Sequence, residues 1–170
     1  MTTMNMFVKR PIKVRGEVAY VPLTQGKVAT IDAADVDLVI GYNWCYSGGY
    51  ASTNVTLPDG KRRLLGMHTL IANPPPGLIV DHEDLDTTNN RRCNLRHATY
   101  HNNNCNNRAY SNNKSGYKGV SWHKATSRWQ AQIAANRVKT HLGFYECPKE
   151  AHEVYKEASI RLHGNFSRPA

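Results

Sequence analysis

The sequence predicts a protein of the α+β class, on three observations. Short β-like runs separated by turns fill the region up to residue 66. A proline-rich break at residues 73–77 precedes a segment rich in asparagine, and further β-like runs near the C terminus lead into one helix. A chain of 170 residues can hold two or three small modules. We therefore predict modules at 1–66, 67–110 and 111–170, with a polar linker at 111–116.

The N-terminal module is expected to be rich in β-structure. Two β-like runs, 18–21 and 27–31, come first, and Asp32 is then placed to cap a short helix. Runs 50–57 and 62–65 flank a Pro-Asp-Gly turn and predict a hairpin. No polar cluster in this module indicates a function.

The C-terminal module is expected to be a three-stranded sheet covered by one helix. Its β-like runs are 117–124, 128–135 and 139–145. Pro148 is typical of a helix start and Gly164 of a helix end. Between them, one apolar face recurs at helical spacing: Ala151, Val154, Tyr155, Ala158 and Leu162.

The distribution of charge indicates a polyanionic partner. The formal net charge is +9. Residues 1–60 carry five basic and five acidic groups, residues 61–113 seven and four, and residues 114–170 ten and four. Basic side chains that neutralise phosphates release counterions, so the last two-thirds of the chain are expected to bind nucleic acid. The alternative is a basic surface that only keeps the protein in solution.

Composition also predicts the compartment and the state of the cysteines. No apolar run approaches the ~18 residues of a membrane span, and residues 1–6 lack the features of a signal peptide. We therefore expect a cytoplasmic protein without a membrane partner. The cysteines form no Cys-x-x-Cys pair, which argues against a zinc clamp, and are predicted to be reduced and mostly buried: Cys45, Cys93, Cys105 and Cys147.

A candidate active site begins with Asp81 and His82, at the end of a short apolar strand. An Asp-His pair alone is more often a satisfied structural pair. Here Asn94 follows His82 by twelve residues, and Asn103 follows Asn94 by nine, in a segment that Thr99 can cap as a helix.

This His-x11-Asn-x8-Asn spacing resembles the HNH nuclease family, and more narrowly the homing endonucleases of phages and mobile elements, in which asparagine replaces the final histidine. The resemblance implies a ββα-metal fold around one divalent ion. Asp81 and Asn103 would ligate the metal, His82 would be the general base, and Asn94 would fix the loop or orient the imidazole. Carboxylate and amide oxygens suit Mg²⁺ or Mn²⁺.

Neighbouring residues have two interpretations each. His68 stands where relatives often carry a histidine, but a role as a buried, hydrogen-bonded core residue is equally open. Arg91 and Arg96 are predicted to hold DNA phosphates, and the alternative is that they are simply solvated.

A second resemblance covers about fifty residues of the C-terminal module. Segments 115–122, 128–133, 141–145, 150–158 and 161–166 are similar to the APETALA/ethylene-response-factor type DNA-binding domain, which lays a three-stranded antiparallel sheet in the major groove. Several family arginines and a tryptophan appear here as serine, histidine or lysine, so we expect phosphate contacts more than base discrimination. The positions that match family contacts are Lys118, Ser121, His123, Arg128, Lys139 and His141.

These patterns predict a metal-dependent DNA endonuclease whose partner is double-stranded DNA. The rivals are a non-catalytic DNA-binding regulator with a degenerate nuclease core and an RNA-processing nuclease. A monomer would nick one strand, whereas a homodimer could cut both. The sequence leaves this choice and the target site open.

Overall fold

The computed structural model describes residues 10–107, 109, 112–135 and 138–168. The chain forms two compact units, Met1–Ala98 and Thr99–Ala170. Each unit combines small antiparallel sheets or hairpins with a few helices, which confirms the α+β class. The signal-peptide prediction concerns residues 1–6, and the predicted linker begins at Ser111. These residues lie outside the described ranges.

The first unit begins with a three-stranded antiparallel sheet in the order β1-β2-β3, followed by a short helix α1. The bounds of these elements are Lys13–Arg15, Val18–Pro22, Val28–Asp32 and Val36–Val39.

Two further antiparallel arrangements complete the first unit. A sheet in the order β4-β5-β6 leads into helix α2, and the predicted hairpin over residues 50–65 is confirmed by the pairing of β5 with β6. Strands β7 and β8 then form a two-stranded ladder. The bounds are Cys45–Ser47, Tyr50–Thr56, Arg62–Gly66, Met67–Ala72, Ile79–His82 and Leu95–Ala98.

One hydrophobic core joins these sheets across the boundary that the sequence predicts after residue 66. Met67 and Ile71 of α2 are buried in the same cluster as Ile31, Val39 and Trp44. Helix α2 thus contributes its apolar face to the N-terminal sheets, and the compact unit continues to Ala98.

The second unit begins with helix α3, and the predicted cap is present because Thr99 Oγ1 accepts the amide of Asn102 at 3.1 Å. A three-stranded antiparallel sheet in the order β11-β10-β9 follows, and helix α4 packs on it. The bounds of these elements are Tyr100–Cys105 for α3, Val120–His123, Arg128–Ala135 and Val138–Tyr145 for β9 to β11, and Pro148–His163 for α4.

The predicted packing of one helix on this sheet is confirmed, except that Leu162, predicted on the apolar face of the helix, is exposed. Val120, Ala131 and Ile133 are buried with Ala151, Tyr155 and Ala158 of α4, and Trp129 and Leu142 pack beside them. Helix α4 starts at Pro148 and is followed by Gly164 at a φ of 51°, as the sequence predicts.

The predicted linker is an ordered turn where it is described. Asn113 Nδ2 donates to Tyr117 O at 2.7 Å, and Ser115 Oγ donates to Val120 O at 2.9 Å. These bonds tie the segment to the sheet that follows it, so the second unit takes in residues on both sides of position 111.

The cysteines are free, as predicted, but the prediction that most of them are buried is wrong. Cys93, in the helical turn Arg92–Asn94, and Cys147, just before α4, are exposed. Cys45 and Cys105 are half-buried. Within the described ranges, no helix combines the length and apolarity that crossing a bilayer requires.

Candidate active site

Strand β7 ends in the Asp81-His82 pair, and both side chains are buried, at 2% and 5% exposure. Asp81 stands opposite Arg96 in the register of the β7–β8 ladder. Successive residues of a strand point to opposite faces, so the two side chains meet different neighbours.

The imidazole of His82 is oriented by a buried asparagine that the sequence analysis did not single out. Asn90, which is 0% exposed, places Oδ1 at 3.3 Å from His82 Nε2. Its Nδ2 donates to Thr88 O at 3.1 Å, which fixes the amide with its oxygen toward the imidazole. An oxygen acceptor selects the tautomer with the proton on Nε2, so the lone pair of neutral His82 lies on Nδ1.

Burial keeps His82 in its neutral form. Removal from water lowers the pKa of His82 below its usual value, and this outweighs the opposing effects of the Asn90 hydrogen bond and of the charges on Asp84, Asp81 and Asp86. A neutral imidazole is the form that can accept a proton at physiological pH.

Two rings from the preceding elements pack beside His82. The ring centroids of His68 and Tyr50 lie 5.1 and 6.0 Å from that of His82. His68 Nδ1 is buried and has no hydrogen-bond partner among the described residues. This atom therefore does not support the alternative in which His68 is a hydrogen-bonded core residue. A Cβ at Gly66 would lie 2.6 Å from His68 Cε1, so glycine there makes room for the ring.

This packing predicts that the protein becomes less stable as the pH falls. Burial lowers the pKa of His68 from 6.5 to about 4, and the charge that His82 gains when it is protonated adds to this effect. The unfolded chain therefore binds a proton that the folded chain resists, and the free energy of unfolding, full above pH 6.5, should fall by up to about 3 kcal/mol on acidification. Urea unfolding at several pH values between about 4 and 7 measures this free energy. His68→Gln should flatten the profile and exposed His97→Gln should not; identical slopes in both variants would contradict the prediction.

Asn94 holds the loop that connects β7 to β8. Its Oδ1 accepts the amide of Asp84 at 3.0 Å, and its Nδ2 donates to Asn89 O at 2.8 Å. Asp86 closes a turn within the loop, since its Oδ1 accepts the amide of Thr88 at 2.9 Å. Of the two roles open to Asn94, the observed contacts are those of a loop brace, while Asn90 contacts the imidazole.

Two arginines tie the same loop to the N-terminal sheet. Arg91 Nε lies 2.8 Å from Asp32 Oδ1, and the amide of Arg92 donates to Asp32 Oδ2 at 2.8 Å. The Arg92 side chain binds Asp35 at 2.7 Å. Asp32 stands at the N-cap of the turn Ala33–Asp35, as predicted, but its side chain makes no cap bond, because both carboxylate oxygens bind the loop. The role of Arg91 at DNA phosphates stays a prediction.

Asp81 forms a buried ion pair with Arg96. Arg96 Nε lies 2.7 Å from Asp81 Oδ2, the two side chains are 17% and 3% exposed, and Arg96 Nη1 is 3.8 Å from Glu83. A carboxylate offers about four lone-pair positions, so this bond does not exhaust its capacity for a cation. The donor chemistry fits Mg²⁺ or Mn²⁺. Asn103, the predicted second ligand, lies on α3 in the second unit, and its role stays a prediction.

The sheet of the second unit has a polar face turned away from α4. Side chains that pair across strands share a face. Gln130 Nε2 lies 3.0 Å from His141 Nδ1, and the Phe144 ring centroid lies 4.5 Å from that of His141 and 4.9 Å from that of His123. By register and alternation, this outward face gathers five of the predicted contact residues: Ser121, His123, Arg128, Lys139 and His141.

The sixth predicted contact, Lys118, is engaged elsewhere. Its Nζ donates to the carbonyls of Cys105 at 2.7 Å, Asn107 at 2.6 Å and Arg168 at 3.1 Å. Burial lowers the pKa of Lys118. The ammonium joins three segments of its own unit, and its contact with DNA stays a prediction.

The chain is similar to Protein 3.8 of Escherichia phage T7, with 30% identity over 94 residues that make up 55% of this chain and 77% of the phage protein. No protein-family model matches the chain. No solved structure matches it either.

Proposed function

We propose that this chain, which belongs to the same family as Protein 3.8 of Escherichia phage T7, is a metal-dependent DNA endonuclease that hydrolyses phosphodiester bonds by a one-metal HNH mechanism. The observation that carries the proposal is the buried, neutral imidazole of His82, which Asn90 orients and which directly follows the buried Asp81 in the chain. The chain order β7, β8, α3 supports a ββα-metal core.

In this mechanism His82 acts as the general base. Its Nδ1 accepts the proton of a water molecule as that water attacks phosphorus in line. Asp81 and, by the family resemblance, Asn103 would hold the ion. Mg²⁺ or Mn²⁺, when bound, supplies charge stabilisation at the phosphate and at the leaving 3′ oxygen. Asn90 fixes the tautomer of the base and Asn94 fixes its loop.

The buried His68 Nδ1 also supports a site that receives a group from outside the chain. A native protein leaves few buried polar atoms without a partner, and those that exist are often functional. This atom lies on the ring that packs edge-on against His82.

The outward face of the C-terminal sheet would hold DNA. Arg128 and Lys139 are exposed there and carry the positive charge, with two histidines and Ser121 beside them. A tethered anchor of this kind raises the local concentration of the nuclease at its substrate.

Incubation of supercoiled plasmid with the purified full chain and Mg²⁺ or Mn²⁺ tests the proposal. We expect nicked circles that do not form in EDTA. A mobility shift of the plasmid without nicking would instead support a non-catalytic DNA-binding regulator. Preferential cleavage of duplex or single-stranded RNA would support an RNA-processing nuclease.

The anchor makes a separate prediction about the salt dependence of binding. Replacing both Arg128 and Lys139 with alanine should weaken DNA binding and reduce the slope of log K against log salt concentration by about 2, since each phosphate contact contributes about 1. Filter binding at several salt concentrations measures the slope. Lys61→Ala, at an exposed hairpin turn in the other unit, is the matched control. An unchanged slope in the double variant would remove the sheet face from the interface.

A further inference from the structure

A second cluster of metal-ligating side chains lies within the second unit. It consists of His101, Cys105 and His163, and one ligand atom from each residue lies within 4.8 Å of those of the other two. Cys105 Sγ is 3.7 Å from His101 Nε2 and 3.4 Å from His163 Nδ1. The two imidazole centroids are 5.8 Å apart.

Helix geometry brings these groups together. His101 and Cys105 are four residues apart on α3, so their side chains lie on one face of that helix. His163 is the last residue of α4, and the chain turns sharply away after it at Gly164. The cluster therefore joins the two helices of the second unit at one point.

The separations agree with those of a tetrahedral metal centre. Bonds of about 2.3 Å to sulfur and about 2.05 Å to nitrogen, at a tetrahedral angle, place the two donor atoms about 3.6 Å apart. The observed sulfur–nitrogen distances of 3.7 and 3.4 Å lie on either side of this value. Cys105 and His163 are only half-buried, which leaves a path for an ion to enter.

We propose that His101, Cys105 and His163 bind a zinc-class divalent cation through two imidazole nitrogens and one thiolate. A thiolate with two imidazoles is a soft donor set that selects zinc over magnesium or manganese. Three protein ligands leave a fourth tetrahedral position for water or another exchangeable ligand. On binding, Cys105 loses its proton to solvent as the sulfur–metal bond forms.

This site shares no residue with the proposed nuclease centre. Asn103 lies two residues from both His101 and Cys105 on α3, about 200° around the helix axis from each. The zinc proposal does not depend on nuclease activity, because its ligands come from the second unit alone. The competing explanation is a set of sulfur–nitrogen hydrogen bonds that holds α3 to α4 without a metal.

Zinc binding by the full chain separates these explanations. After chelation and buffer exchange, the wild-type protein should take up one equivalent of Zn²⁺ and unfold at a higher temperature when loaded. Cobalt in place of zinc should give a thiolate-to-metal charge-transfer band. Cys105→Ser should lose both the tightly bound equivalent and the band. Cys147→Ser, at an exposed cysteine of the same unit, should keep them. Uptake that is absent, or lost equally in both variants, would overturn the proposal.

Alkylation of the wild-type chain provides a test that does not depend on a variant folding. Zn²⁺ at about ten times its dissociation constant should slow modification of Cys105 about tenfold. Exposed Cys93 and Cys147 should react at an unchanged rate, as mass spectrometry of the digested protein can measure. Equal reactivity of Cys105 with and without zinc would contradict the site. Asp81→Asn should retain zinc, so failure of the nuclease proposal and failure of this one give different results.

Discussion

Replacing His82 with alanine should lower the rate of plasmid nicking by about 10²–10⁴-fold, the usual contribution of a general base. The side chain is buried and neutral, and the Asn90 hydrogen bond fixes its tautomer, so the imidazole is held ready to accept a proton. DNA affinity should stay nearly unchanged, since the outward sheet face lies in the other unit. Single-turnover nicking and a mobility shift at fixed salt measure the two quantities.

His97→Ala is the matched control for this experiment. His97 lies on β8 of the same ladder, where its exposed ring contacts Ala72 O at 2.8 Å. It should nick at close to the wild-type rate. Because burial lowers the pKa of His82, the midpoint of the fall in wild-type nicking on acidification should lie below pH 6.5. If the folded His82 variant nicks DNA at the wild-type rate, His82 is not the general base.

Short-range signals in the sequence were sufficient to predict the strand and helices that carry the candidate site residues. An apolar run predicted β7 with Asp81 and His82 at its end, and Thr99 predicted the start of α3. Pro148 and Gly164 marked both ends of α4. Each of these signals acts within a few residues of the chain, which is why it could be interpreted without the fold.

Contacts between residues far apart in the chain could not be predicted from the sequence. Asn90 is one of ten asparagines between residues 89 and 113, and nothing in its immediate neighbours distinguishes it from the others. Asp32 was expected to cap the helix beside it, but it binds a loop 59 residues away. The four-residue spacing of His101 and Cys105 was a visible signal. His163, which completes the cluster, follows Cys105 by 58 residues.

Breaking the ion pair between Asp81 and Arg96 should cause a large loss of stability in the first unit. Asp81→Leu leaves a guanidinium that is 17% exposed without its nearest carboxylate, and Arg96→Met removes the cation from a carboxylate that is 3% exposed. Each single variant should lower the free energy of unfolding by about 3–5 kcal/mol, the usual cost of removing one partner of a buried ion pair. Urea unfolding of both variants measures these losses.

The double variant Asp81→Leu, Arg96→Met should recover most of that stability, because apolar side chains can replace a buried pair at little cost. The exposed pair Asp59–Lys61 is the control, and Asp59→Ala should change the free energy of unfolding by less than about 1 kcal/mol. If the double variant loses as much unfolding free energy as the two single variants together, the two side chains do not stabilise each other. A stable double variant that binds DNA but does not nick it would separate the two roles of Asp81, since the fold would then survive without the carboxylate while the hydrolysis would not.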